Sequence, residues 1–160
     1  MYTSTALTDL HERTHRSFGR LLEHCTSMPS DRWLHPLEGF AYSTVAEQLQ
    51  HVLEAEAYWL GVLQGNPDPA DVPVPDPAGM RVLAARTRQA TRTWLAGIDD
   101  LVLNHLAVYA TWGGRQRELE PAHVILRVVT HCFHHMGQVQ AMCRIMGHPV
   151  AALDFPLGPL

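Results

Sequence analysis

The stretch PAHVILRVVTHCFHHMGQVQAMCRIMG, residues 121–147, decides the fold. Pro121 suits a first helical turn, and Gly147 followed by Pro149 prevents continuation, so the segment reads as one long helix. At about 100° per residue, Val124, Val128, Val129, Cys132, Met136, Val139, Met142, Cys143 and Met146 define its buried arc. Three histidines, His131, His134 and His135, interrupt the middle of this apolar run. His135 falls inside the arc and His131 at its edge, while His134 points outward with Arg127. The spacing His131-x-x-x-His135 puts two imidazoles one turn apart on one face, where both can reach a single ion. A lone core histidine is ordinarily bonded to a backbone carbonyl. A neighbouring pair is costly to bury unless something satisfies both lone pairs, as a divalent metal does, although HxxxH without context also recurs by chance.

Working outward, three more helical patterns appear, with no internal repeat. From about Ser4 to Thr26, Leu7, Leu10, Phe18, Leu21, Leu22 and Cys25 make one stripe. Thr44 with Glu47 three residues on is a capping-box signature that opens a second helix from Val45 to about Leu63. Asp76-Pro77 reads as a cap and first turn. Met80, Leu83, Thr87, Ala90, Trp94, Ile98 and Leu101 then recur at threes and fours as a bundle seam. The expected fold is an all-α four-helix bundle forming one domain over residues 1–160. Two connections are too long for tight corners and suggest crossovers. GNPDPADVPVPDPAG, residues 65–79, is proline-rich and expected to run extended along the surface. Residues 105–120 contain Gly113-Gly114, which suits a small hairpin.

Composition excludes several functions. The chain has 160 residues, 46% hydrophobic and 18% charged, which suits a globular core. A net charge of −4 and no basic cluster argue against nucleic acid. All 12 basic residues are arginine, so no Schiff-base lysine is available. No apolar run reaches the roughly 20 residues of a membrane span, and the polar start MYTSTALTDLHERTHR is unlike a signal peptide. A cytoplasmic location is expected. Of Cys25, Cys132 and Cys143, the last two are about 16 Å apart along one helix, beyond disulfide reach, and a reducing compartment fits.

A third ligand has to come from another helix. In VAEQLQHVLEAEAYWL, residues 45–60, His51 lies off the main apolar stripe, near Gln48, Ala55 and Tyr58. It reads either as a solvent-facing residue or as the edge of a cleft facing the last helix. His11 and His15 form a second HxxxH pair, but the wheel sets His15 on the flank with Glu12 and Arg16, so this pair is read as non-ligating. Glu56 falls on the apolar face of the second helix, where it needs a buried donor such as an indole or a histidine; it is also the candidate general base. Cys132 reads as a small hydrophobe. His105 is placed at the end of the third helix on its seam, as a cap or pocket border. Tyr58, Trp59, Trp112 and Arg117 are candidates for a substrate cleft, although such aromatics usually belong to the core.

His51 within QLQHVLEAEAYWL, together with HCFHHMGQ, resembles the DinB/YfiT-like family of metal-dependent four-helix proteins, which carry a histidine in helix two and HxxxHxGQ in the last helix. The resemblance spans nearly the whole chain, including the long connection after helix two and the tail GHPVAALDF. It implies that His51, His131 and His135 ligate one divalent ion, with Gly137 and Gln138 completing the motif, and that the protein is a homodimer. It also implies thiol-dependent transfer or isomerisation, or hydrolysis. Three nitrogen ligands suit zinc first, with nickel, iron or another first-row metal as alternatives. The expected function is therefore a metal-dependent enzyme acting between a low-molecular-weight thiol and a small electrophilic substrate, with metal-assisted hydrolysis as the variant. A non-catalytic metal- or small-ligand-binding protein of the stress type is the alternative, and a metal-free structural protein a third.

Overall fold

The computed structural model describes residues 1–67 and 73–158. Four long helices carry it: α1 (Ser4–Ser27), α3 (Val45–Leu63), α4 (Pro77–Gly97) and α6 (Pro121–Ile145). Two single-turn helices, α2 (Ser30–Trp33) and α5 (Asp100–Leu103), lie in the connections, and β1 (Ala107–Thr111) pairs antiparallel with β2 (Arg115–Leu119). The starts follow local chemistry. The Thr44 hydroxyl accepts from the Glu47 N–H while the Glu47 carboxylate accepts from the Thr44 N–H, closing the capping box and satisfying two otherwise orphaned donors. Asp76 caps α4 through the Gly79 N–H, and prolines occupy the first turns of α4 and α6.

Helix α1 packs against α4 and α6, and α3 against α6 and α4, so α1 and α3 face each other across the bundle. Phe18–Cys25 of α1, Val45–Leu53 of α3, Met80 of α4 and Cys132–Cys143 of α6 meet in one apolar cluster. Leu7, Leu95, Leu103, Ala122 and Ile125 form a second, with Leu63 at its edge. The ends that meet show that α3 and α4 run the same way and α1 and α6 the other. The connection after α3 therefore returns the length of the bundle, as its length implied; its residues 68–72, part of the proline-rich stretch expected to be extended, lie outside the described residues. The connection from α4 to α6 stays at one end and contains the expected hairpin, where Gly113 and Gly114 take φ of 70° and 72°, values a side chain disfavours.

One expectation fails at the end of α4. The seam was carried through Leu101 to His105, but the helix ends at Gly97 with Ile98 extended. Asp99 then caps α5 through the Leu101 N–H, and this restart turns Leu101 out to 72% exposure. His105 follows α5 as an exposed residue, not on any helical seam. At the other end of the bundle, Cys25 and Cys143 are free thiols with their sulfurs 3.8 Å apart.

Candidate metal centre

His51 on α3 and His131 and His135 on α6 converge where these two helices pack. Each offers a ring nitrogen, and these nitrogens all lie within 4.8 Å of one another. The Nε2 atoms of His51 and His131 are 3.2 Å apart. His131 and His135, one turn apart as their spacing implies, have ring centroids 4.4 Å apart, and His51 stands 4.7 Å from His135. His135 is buried while His51 and His131 are half-buried, so one side of the cluster faces solvent. Of the two readings of His51, the cleft edge is the one the structure shows.

The surroundings fix how these rings present their nitrogens. Gln48, one turn into α3 and fully buried, accepts a 2.7 Å hydrogen bond from Nδ1–H of His135. With the proton on Nδ1, the lone pair of His135 lies on Nε2. Both amide hydrogens of Gln48 are also used, to the Tyr42 carbonyl at 3.1 Å and to Oε1 of Gln138 at 2.9 Å. Gln138 in turn donates to Nε2 of His134 at 2.8 Å. The Tyr42 ring stacks on His51 at 4.1 Å and 22°. Gln138, expected from the motif, thus acts two bonds away from His135 through Gln48. Gln48 and Tyr42 were not identified from sequence. The usable signal for Gln48 was its place three residues before His51, on the same face.

All three rings are held neutral at ordinary pH. Burial pushes His51 below its usual value. His131 falls to about 4, first by burial and then by the neighbouring charges of His51, Arg127 and His134. His135 also falls to about 4, by burial and then by His131, His51 and His134. Neutral imidazoles with converging ring nitrogens are what a metal requires, so the cluster could hold a divalent ion.

The remaining candidates divide. Trp59 and Arg117 line a depression of about 370 Å³ with Leu106, His123, Val124 and Arg127. The Arg127 guanidinium lies over the Trp59 ring at 5.2 Å, one turn before His131. The Tyr58 hydroxyl accepts the Trp112 backbone N–H at 3.0 Å and pins the hairpin to α3, leaving the Trp112 side chain 71% exposed at the hairpin tip. Among the described residues no hydrogen bond or ring contact joins the His105 side chain to the three histidines.

Glu56 found the buried partners expected of it. Its Oε1 lies 2.7 Å from Nε2 of His11, its Oε2 2.8 Å from Nε2 of His15, and the Thr91 hydroxyl donates to Oε1 at 2.7 Å. The placing of His15 on an outer flank is therefore corrected: His11 and His15 are both buried. The apolar stripe of α1 has a gap between Leu10 and Phe18, filled by His11 and His15, whose partner is Glu56 opposite, and by Thr14, whose hydroxyl donates to the Leu10 carbonyl. Burial alone would raise the Glu56 carboxyl, but His15 and His11 hold it below the usual carboxylate range. Cys132 is buried, and burial together with the Glu56 charge raises its thiol; it is a core residue, as read.

The family model described as the DinB family matches residues 1–159. Among solved structures, the crystal structure of a DinB family member from Shewanella denitrificans is similar, with 15% identity, coverage of 99% of this chain and 90% of that chain, and a TM-score of 0.57. At that identity the likeness concerns the fold. No curated protein matches the chain.

Proposed function

The chain belongs to the DinB family, and from that premise we propose that it is a metal-dependent enzyme whose His51, His131 and His135 hold one divalent ion at a site open to substrate. The observation that carries this reading is the convergence of three neutral imidazole nitrogens within 4.8 Å of one another, with His135 oriented by Gln48. Zinc suits the nitrogen set first, with nickel, iron and other first-row ions as alternatives. Bound there, the ion supplies Lewis-acid chemistry, lowering the pKa of a thiol or of water presented to it.

The protein's own residues do the rest. Gln48 holds the Nδ1 proton of His135 so that Nε2 remains a donor. Tyr42 covers one face of His51 and shields it from water. Arg127, one turn before His131, and Arg117 line the depression together with Glu118 and Glu120, a mixed-charge surface on which a small polar electrophile can be placed beside a low-molecular-weight thiol. Glu56 is not assigned the base: three donors occupy its oxygens and its carboxyl is held low, both unfavourable for taking a proton near neutral pH. The lack of an assigned base is met more easily by thiol transfer than by hydrolysis, because a thiol, starting from a pKa of about 8.5 against about 15.7 for water, gives its proton to solvent with less help from the ion. It equally motivates a second reading, a protein that binds metal or a small ligand without turnover.

Among the described residues no helix is long and apolar enough to cross a membrane. A soluble homodimer acting in the cytoplasm completes the proposal. The test is a screen of the zinc-loaded and nickel-loaded protein with several cellular thiols against activated electrophiles. Turnover lost in His131→Ala supports the enzyme; tight metal binding with no turnover in any pairing favours the binding protein.

A further inference from the structure

The bundle's apolar core is not continuous. Its two clusters are separated by a layer of buried polar side chains: His11, Thr14 and His15 of α1, Glu56 of α3, and Thr87 and Thr91 of α4. Helices α1 and α3 face each other across the middle of the bundle, so the bonds from Glu56 to His11 and His15 cross its centre. Replacing apolar contacts with imidazoles and a carboxylate in such a place is expensive unless they are joined to something.

The donor set and its geometry say to what. Two histidines one turn apart and one carboxylate are a set that chelates first-row divalent ions. The ring centroids of His11 and His15 are 4.4 Å apart at 52°, nearly the 4.4 Å and 60° of His131 and His135. Both Nε2 atoms point at the same carboxylate, and the three ligand atoms lie within 4.8 Å of one another. Nδ1 of His11 has no hydrogen-bond partner among the described residues, so that ring is held through Nε2 alone.

We propose that His11, His15 and Glu56 form a second divalent-metal site, buried at the centre of the bundle, that ties α1 to α3. An ion there takes the place of the Nε2 protons, and each imidazole then carries its proton on Nδ1. Ligand bonds of about 2.0–2.2 Å require each nitrogen to withdraw from the carboxylate by roughly half an ångström. The Thr91 hydroxyl, which donates to Oε1, steadies the carboxylate from α4. With all three ligands buried, the ion is acquired as the chain folds and exchanges only when α1 opens. It is a structural ion, unlike the solvent-facing one assigned to His51, His131 and His135.

The test is zinc content by mass spectrometry after refolding in zinc, read before and after brief treatment with a chelator. Wild type, His131→Ala/His135→Ala, and that double variant with Glu56→Gln added are compared. The proposal expects about one equivalent to survive the chelator in the double variant and to be lost when Glu56 is changed. If, before the chelator, wild type binds one equivalent and the double variant none, the second site is overturned while the three-histidine centre stands. If, before the chelator, the double variant holds as much zinc as wild type and Glu56→Gln releases it, the second site stands and the three-histidine centre falls. Should the Glu56→Gln protein not fold, zinc-edge X-ray absorption of the double variant decides: a shell with two imidazoles and oxygen supports the site, and a shell without an imidazole pair overturns it.

Discussion

Replacing Gln48 separates the orientation of the metal centre from the stability of the fold. Its side chain makes three bonds, of which only the one to Nδ1–H of His135 bears on the ligand atom; the other two go to the Tyr42 carbonyl and to Gln138. Gln48→Leu removes all three. Losing a partner of this kind typically weakens metal binding by about 10–100-fold, which is about 1.4–2.8 kcal/mol. Each buried polar group left unpaired costs a further 1–3 kcal/mol or so of folding stability. Gln48→Glu keeps an acceptor for His135 but loses both donors. It should therefore bind zinc at least as tightly as wild type while unfolding, metal-free, at lower urea. The assay is zinc titration against a competing chelator, paired with urea unfolding of the metal-free proteins. Equal affinity in Gln48→Leu and wild type, or the same loss of affinity in both variants, would refute the argument that this bond orients His135.

Other outcomes follow from the same geometry. His131→Ala and His135→Ala should each lower zinc affinity by about one order of magnitude or more, whereas His134→Ala, whose exposed ring contacts Gln138, should change it little; His51→Ala should match the first pair by the same titration. Glu56→Ala leaves two buried histidines without their carboxylate and should cost about 3–5 kcal/mol in chemical unfolding. The metal-free protein should lose stability as pH falls from about 6.5 to 4. His131 and His135 titrate near 6.5 when unfolded and near 4 when folded, so the unfolded state binds more protons in that window. Melting temperatures across that range check the sign, and a rise in stability on acidification would contradict it. Light scattering should give a particle of about twice the 17.9 kDa chain mass.

Much of this was legible in the sequence because it depends on local chemistry. Thr44 with Glu47, Asp76-Pro77 and Pro121 are start signals that act within one turn, and α3, α4 and α6 begin where they place them. His131 and His135 share a face by helical period alone. What stayed hidden needed knowledge of which helices are neighbours. Helix α3 packs against both α6 and α4, so its buried arc is wider than one stripe and takes in Gln48 at its edge. The wheel sets His15 on a flank and leaves the His11–His15 pair without a role because nothing local to α1 pairs with them; their partner is 45 and 41 residues away. Leu101 continued the period of the third helix on paper, and the Asp99 cap, which starts a new turn, breaks that period in space.

The central claim is that three histidines from α3 and α6 hold one ion at an open position. A crystal structure of the zinc-loaded protein, with anomalous scattering measured on both sides of the zinc edge, tests it most directly. The account predicts a zinc peak about 2.0–2.1 Å from Nε2 of each of His51, His131 and His135, with a further ligand that is not a protein side chain. A map with no zinc peak among these three nitrogens, or one in which His51 stays out of the shell, would contradict it.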